Sequence, residues 1–207
     1  MTLFQQQADF VRNYRREITK KAEKIQPIAD SLCSQGILSS AERIKIQAAG
    51  STQEGMMELL RSLERGGTSA KSKLYLLLQL HEPALLREIE HARFAEDHMA
   101  EIIQKVGQVE PIADALLSQG LVNGEEHCRI CTGGTTKQKM RELYRSLETG
   151  GTSGKTALYW LLLRHEPDLI MVLDATVPLR RRNGTDVPPG TNELVSTFKQ
   201  LLLHGEE

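Results

Sequence analysis

The feature that most constrains this chain of 207 residues is an internal duplication with a constant offset of 84 residues. The segment PIADSLCSQGIL, which begins at Pro27, returns as PIADALLSQGLV at Pro111, and the alignment continues without a gap as far as Pro83 and Pro167. A unit of this length has the size of a small domain and exceeds the repeats of solenoid proteins. We therefore predict three segments: copy one (8–91), copy two (92–174) and a tail (175–207).

Apolar residues at helical spacing, separated by repeated stop signals, predict six short helices in each copy. In copy one, Pro27 predicts the start of the second helix, and Gly36 predicts its end with a left-handed cap. Ser39 followed by Glu42 predicts a capping box at the start of the third helix. The fifth helix contains LYLLLQL (74–80), which is apolar nearly all round and predicts a buried central helix. Because no convincing alternation typical of strands occurs, the predicted fold class is all-α.

The junction between the copies and the tail have different compositions. Residues 84–105 contain no Gly or Pro, which predicts that the last helix of copy one runs into the first helix of copy two and fixes their orientation. Residues 176–191 are rich in Pro and Gly and indicate a linker. The segment 192–203 has amphipathic helical spacing, and it either docks on copy two, binds a partner or begins a further domain.

Charge and hydropathy restrict the function classes. The chain has 26 Lys and Arg against 27 Asp and Glu, a net charge of −1, which argues against a dedicated nucleic-acid-binding protein. No apolar run reaches the roughly 18 residues that a membrane-spanning helix needs. The beginning of the chain has no apolar signal region, and the odd count of three cysteines is typical of reduced thiols. We therefore expect a cytoplasmic protein without membrane or nucleic-acid partners.

The segment IQAAGSTQEGMMELLRSLERGGTSAKSKLYLLLQLHEPALLREI (46–89) resembles the third to sixth helices of a caspase recruitment domain (CARD), a branch of the death-fold superfamily. The resemblance returns in copy two, whereas the Arg-x-Asp-Leu signature of death-effector domains is not found near the sixth helix. It implies two tandem six-helix bundles with a Greek-key helix arrangement. It also implies a non-enzymatic adaptor or regulator that binds CARD-containing caspases, adaptors or sensors and self-associates into filaments or discs.

The resemblance places this activity in apoptosis or innate immunity, including inflammasome signalling. The chain is either a complete adaptor or inhibitor, or the N-terminal part of a larger CARD sensor or caspase. The sequence leaves open which partner it binds and whether it activates or blocks signalling.

CARDs often pair a basic patch on the first and fourth helices with an acidic patch on the second and third. Residues 10–24 carry a net charge of +4, whereas the aligned residues 94–105 of copy two carry −2. Residues 108–132 carry −3, and the same region of copy one, residues 25–48 with Lys24 excluded, is neutral. Copy one therefore offers a basic surface and copy two an acidic one. The predicted partner-binding residues are Arg12, Arg15, Arg16, Lys20, Asp30, Glu42, Arg61, Glu110, Asp114, Glu125, Glu126, Arg141 and Arg145.

Two other motifs do not support an enzyme. The stretch 151–156 resembles the end of a phosphate-binding loop, but Thr149 stands where that motif needs its first Gly. Cys128 and Cys131 lie beside His127, but no second pair completes four ligands, so we expect no metal site and interpret Cys128 as a core residue. No catalytic residue or cofactor is expected. The alternative function is nucleic-acid or membrane-surface binding through the first helix and the basic segment 179–182, which the overall charge argues against.

Overall fold

The fold is described by a computed structural model of the chain that covers residues 2–176. This part contains helices and no strand, which confirms the all-α class. The helices are α1 (Leu3–Asn13), α2 (Arg15–Lys21), α3 (Ile25–Ser34), α4 (Ser40–Gln47), α5 (Thr52–Leu63), α6 (Gly67–His81), α7 (Pro83–Asp97), α8 (Met99–Lys105), α9 (Glu110–Ser118), α10 (Gly124–Cys131), α11 (Thr136–Glu148), α12 (Gly151–His165) and α13 (Pro167–Thr176).

The chain divides into two compact units, Met1–Leu169 and Ile170–Glu207. The first unit holds all of copy one and most of copy two. In the second unit the described residues are the C-terminal part of α13, in which Met171 and Val172 are exposed. The predicted linker and amphipathic helix of the tail lie outside the described residues.

The first helix of each copy is broken, so the prediction of a single first helix is wrong. In copy one the break between α1 and α2 lies at Tyr14 (φ −104°, ψ 24°). In copy two it lies at the aligned residue His98 (φ −106°, ψ 16°), between α7 and α8. The side-chain rings of Tyr14 and His98 each pack on a phenylalanine one turn earlier. The ring centroids are 5.0 Å apart for Phe10 and Tyr14 and 4.6 Å apart for Phe94 and His98. No Gly or Pro marks the break, so tertiary packing produces it.

Helix α7 joins the two copies without interruption, which confirms the predicted continuous helix. Its N-terminal half closes copy one, because Leu85, Leu86 and Ile89 are buried in the core of that bundle. Its C-terminal half begins copy two and packs along α12, as α1 packs along α6 in copy one. One helix therefore serves as the last element of the first bundle and the first element of the second.

The predicted helix ends are mostly confirmed. Ser39 and Glu42 form the capping box of α4, and Gly36 ends the turn after α3 with φ +69°, a conformation that glycine adopts without steric cost. The predicted start of the second helix at Pro27 is wrong, because α3 begins at Ile25. Proline is tolerated within the first helical turn, where backbone N–H groups have no partner inside the helix, and the burial of Ile25 favours the earlier start.

The core of copy one surrounds the side chains of Ile18, Ile28, Leu59, Leu74 and Ile89, all of which are fully buried. The central helix α6 buries Ser72, Leu74 and Leu78 completely and packs against α1, α3, α5 and α7. Its Leu76 and Leu80 are nevertheless exposed by 46% and 71%, so the prediction that this helix is buried all round is wrong. Within residues 2–176, no helix combines the length and apolar character needed to span a membrane.

Candidate protein-interaction surface

The basic residues of the first helix differ in how far their charges are already paired. Arg12 pairs with Asp9 at 3.0 Å on α1, and Arg15 reaches Glu64 at the end of α5 at 2.6 Å. Lys21 pairs with Glu88 on α7. The Arg12 and Arg15 pairs are largely exposed and contribute little to stability, but all three contacts reduce the positive charge that copy one presents to a partner.

Three cations of this region form no ion pair with any residue in 2–176: Arg16, Lys20 and Lys24. All three are exposed, and Arg16 and Lys20 lie one turn apart on α2. We call these three residues the basic surface. An exposed cation without an internal partner keeps its full charge for an incoming acidic group, so this surface is the part of the predicted basic patch best suited to binding.

The predicted basic residues of the fourth helix lie on α5 and on its counterpart α11. Arg61 pairs with Glu58, and the aligned Arg145 pairs with Glu142 in the same way. Exposed pairs one turn apart contribute little to stability, so each arginine can leave its glutamate and pair with a partner's carboxylate instead. Arg141 on α11 is exposed and has no ion pair within residues 2–176.

In copy one the predicted acidic residues are engaged within the bundle. Asp30 on α3 accepts a hydrogen bond from Arg43 on α4 at 2.9 Å. Glu42 accepts the N–H of Ser39 in the capping box and also pairs with Arg65. These contacts are consistent with the neutral net charge of residues 25–48 and leave copy one without a strong acidic surface.

In copy two, Glu110 and Asp114 of α9 are also paired at the surface, whereas Glu125 of α10 is not. Glu110 pairs with Lys139, whose ammonium group holds the pKa of the Glu110 carboxyl below its ordinary value. Asp114 contacts His127 Nε2 at 2.6 Å and keeps 68% of its side chain exposed. Glu126 completes the capping box with Asn123, whereas Glu125 is exposed and has no ion pair within residues 2–176. We call Glu110, Asp114 and Glu125 the acidic surface.

Polar contacts at the junction of the copies centre on Glu88. Its carboxylate pairs with Lys21, which also donates to Ser153 Oγ at 2.9 Å. Its backbone carbonyl accepts from Thr156 Oγ1 at 2.8 Å. Lys155 pairs with Glu96 on α7. The Lys and Thr of the phosphate-loop-like stretch therefore pack α12 against α7.

Aromatic rings add to the same junction. The imidazole of His91 stacks on the ring of Tyr159 with centroids 4.2 Å apart and an interplanar angle of 7°. Trp160 meets the same imidazole edge-on at 4.7 Å. Tyr14 Oη donates to Glu96 at 3.5 Å, and burial together with that carboxylate raises the pKa of Tyr14. These contacts attach the C-terminal half of α7 to both bundles.

Sequence reasoning missed the role of the repeated glutamate in the two His-Glu-Pro segments. The Glu82 carboxylate accepts the backbone N–H groups of Glu23, at 2.7 Å, and of Lys24. In copy two, Glu166 accepts those of Gly107 and Gln108 at 2.8 and 3.0 Å. The recurrence of this glutamate at the repeat offset was a signal in the sequence. Its partners could not be identified, because in copy one the two N–H groups lie 58 and 59 residues earlier in the chain.

The cysteines also differ from the prediction. Cys128 is exposed, so its interpretation as a core residue is wrong, and the aligned Ile44 is likewise 59% exposed. Cys131 is partly buried, and this burial raises the pKa of its thiol. Its Sγ lies 3.6 Å from His127 Nε2.

Two tandem helical bundles joined by a shared helix, with charged exposed surfaces, define a tandem death-fold protein. The chain belongs to the caspase recruitment domain family, which matches residues 8–92 and again 92–175. It is also similar to the zebrafish (Danio rerio) protein "Apoptosis-associated speck-like protein containing a CARD", with 36% identity over 67 residues. That match covers 32% of this chain and 33% of the relative, so the chain spans about a third of the relative's length.

Proposed function

We propose that this chain is a non-enzymatic signalling adaptor or regulator that binds other CARD proteins, including further copies of itself, through homotypic CARD–CARD contacts. Membership of the family supports the class of partner. The name of the zebrafish relative supports a place in apoptotic or innate-immune signalling, and we propose that the protein acts in the cytoplasm.

The observation that carries the proposal is the difference in charge between aligned positions of the two copies. The basic surface belongs to copy one, and its positions are uncharged in copy two. In the acidic surface of copy two, Glu110 and Glu125 align with the uncharged Gln26 and Ala41, whereas Asp114 aligns with Asp30. Complementary surfaces of this kind orient partners and accelerate their encounter. A chain that carries both surfaces can bind a partner protein through copy one or through copy two. It can bind a second molecule of the same chain through both surfaces.

The test is static light scattering with negative-stain microscopy on the purified full chain at about 0.1 M and about 1 M salt, where the Debye length falls from about 10 Å to about 3 Å. We expect assemblies at low salt that dissolve at high salt. Arg16→Glu combined with Lys20→Glu should abolish them while helical circular dichroism stays unchanged.

The matched control is Lys45→Glu combined with Lys105→Glu. These lysines are exposed and have no ion pair within residues 2–176, so the double variant has the same net charge and an intact basic surface. It should assemble like the wild type. A wild-type chain that stays monomeric at both salt concentrations would contradict self-association, and equal loss in both double variants would show that net charge alone drives it.

A further inference from the structure

Three metal-ligating side chains of different chemistry meet between α9 and α10 of copy two. They are the carboxylate of Asp114, the imidazole of His127 and the thiol of Cys131, and their ligand atoms all lie within 4.8 Å of one another. His127 Nε2 is 2.6 Å from Asp114 Oδ1 and 3.6 Å from Cys131 Sγ. His127 and Cys131 are four residues apart on α10, so one face of that helix presents both toward α9.

The aligned place in copy one shows what this part of the bundle contains when it serves packing alone. Asp30 occupies the position of Asp114, and Arg43 pairs with it at 2.9 Å where copy two has His127. Gln47 occupies the position of Cys131. The two copies therefore share the aspartate and the pair of helices, but copy two replaces a permanent cation and an amide with two metal-binding groups.

We propose that Asp114, His127 and Cys131 form a binding site for a zinc ion. Nitrogen, sulfur and oxygen donors together suit zinc, whereas magnesium and calcium prefer oxygen donors alone. Three protein ligands leave one position of a tetrahedral ion for water or for a partner's side chain. Since 68% of the Asp114 side chain is exposed, the site lies within reach of solvent.

The protons balance in a simple way. Zinc binds the thiolate, and the thiol proton passes to the buffer. The imidazole binds through Nε2 in its neutral form, and Asp114 binds as the carboxylate.

The test is titration of the metal-free full chain, under reducing conditions, with Co²⁺ as a spectroscopic substitute and then with Zn²⁺. We expect one Co²⁺ per chain, with the intense near-ultraviolet band of a thiolate bound to cobalt, and displacement of that cobalt by Zn²⁺. Cys131→Gln should lose the band, and His127→Arg should lose cobalt binding. Both variants introduce the residue that copy one already holds at that place, so helical circular dichroism should stay unchanged.

Two further variants make the assignment specific. Cys128→Ser should keep the band, because Cys128 is exposed and its sulfur is not part of the cluster. Arg43→His combined with Gln47→Cys should build a second site in copy one and raise the stoichiometry from one Co²⁺ to two. Absence of a thiolate band in the wild type, or its persistence in Cys131→Gln, would overturn the proposal.

Discussion

At the scale of single residues, Glu82 and Glu166 show how one side chain fixes the geometry of a whole copy. Glu82 lies between α6 and α7, and Glu166 lies between α12 and α13. Each carboxylate accepts two backbone N–H groups from the loop before α3 or α9. These N–H groups have no partner inside a helix, and an ionised acceptor binds them more strongly than a neutral one. The loop that follows the basic first helix is therefore held in place by the far end of the domain.

We expect Glu82→Ala to lower the free energy of unfolding by about 1–2 kcal/mol, because two backbone donors lose a charged acceptor. Glu82→Gln should cost less, since one amide oxygen remains. Urea denaturation followed by circular dichroism measures both changes. Gln79→Ala, at an exposed position of α6, is the control and should leave the midpoint unchanged. Equal stability of Glu82→Ala and the wild type would show that water replaces the carboxylate without loss.

At the scale of elements, the shared helix α7 determines how copy one continues into copy two. It buries Ile89 in the first bundle, and its carboxylates Glu88 and Glu96 bind lysines of α2 and α12. These two ion pairs are partly buried and hold α7 against both bundles. We expect the continuity of α7 to fix the junction more strongly than these ion pairs do. A break in the helix would expose backbone N–H and C=O groups together with buried rings.

We expect both bundles to tumble as one body, so that ¹⁵N relaxation gives the same rotational correlation time for residues of α3 and of α9. Ala92→Pro should uncouple them, because proline removes a hydrogen bond of the α7 interior and clashes with the preceding turn. Arg87→Ala, an exposed position of the same helix, should leave the correlation times equal. Different correlation times in the wild type would contradict a rigid junction.

Local signals in the sequence predicted much of this element structure. Ser39 with Glu42, Gly36 and the absence of Gly and Pro in 84–105 each identify a helix end or continuation from near neighbours. The breaks at Tyr14 and His98 could not be predicted in this way, because packing against distant helices produces them. The same holds for the cluster around His127, since Asp114 reaches it from another helix.

At the scale of the whole molecule, the duplication has produced two bundles with one fold and different surface chemistry. Copy one presents the basic surface, and copy two presents the acidic surface, whose Asp114 is also a ligand of the proposed zinc site. Because the basic surface and Glu125 keep charges that no ion pair within residues 2–176 neutralises, we propose that the chain binds partners through electrostatic complementarity that depends on salt. The sequence predicted this division of charge, and the structure shows which of these charges form ion pairs within residues 2–176.

The most direct test of the central claim mixes two chains, each disabled on a different surface. The first carries Arg16→Glu and Lys20→Glu and keeps its acidic surface. The second carries Glu110→Gln and Glu125→Lys and keeps its basic surface. Sedimentation velocity at low salt should show each variant alone as a monomer and the equimolar mixture as a heterodimer that grows no further. A mixture that sediments as two monomers, or variants that still assemble alone, would contradict the pairing of these two surfaces.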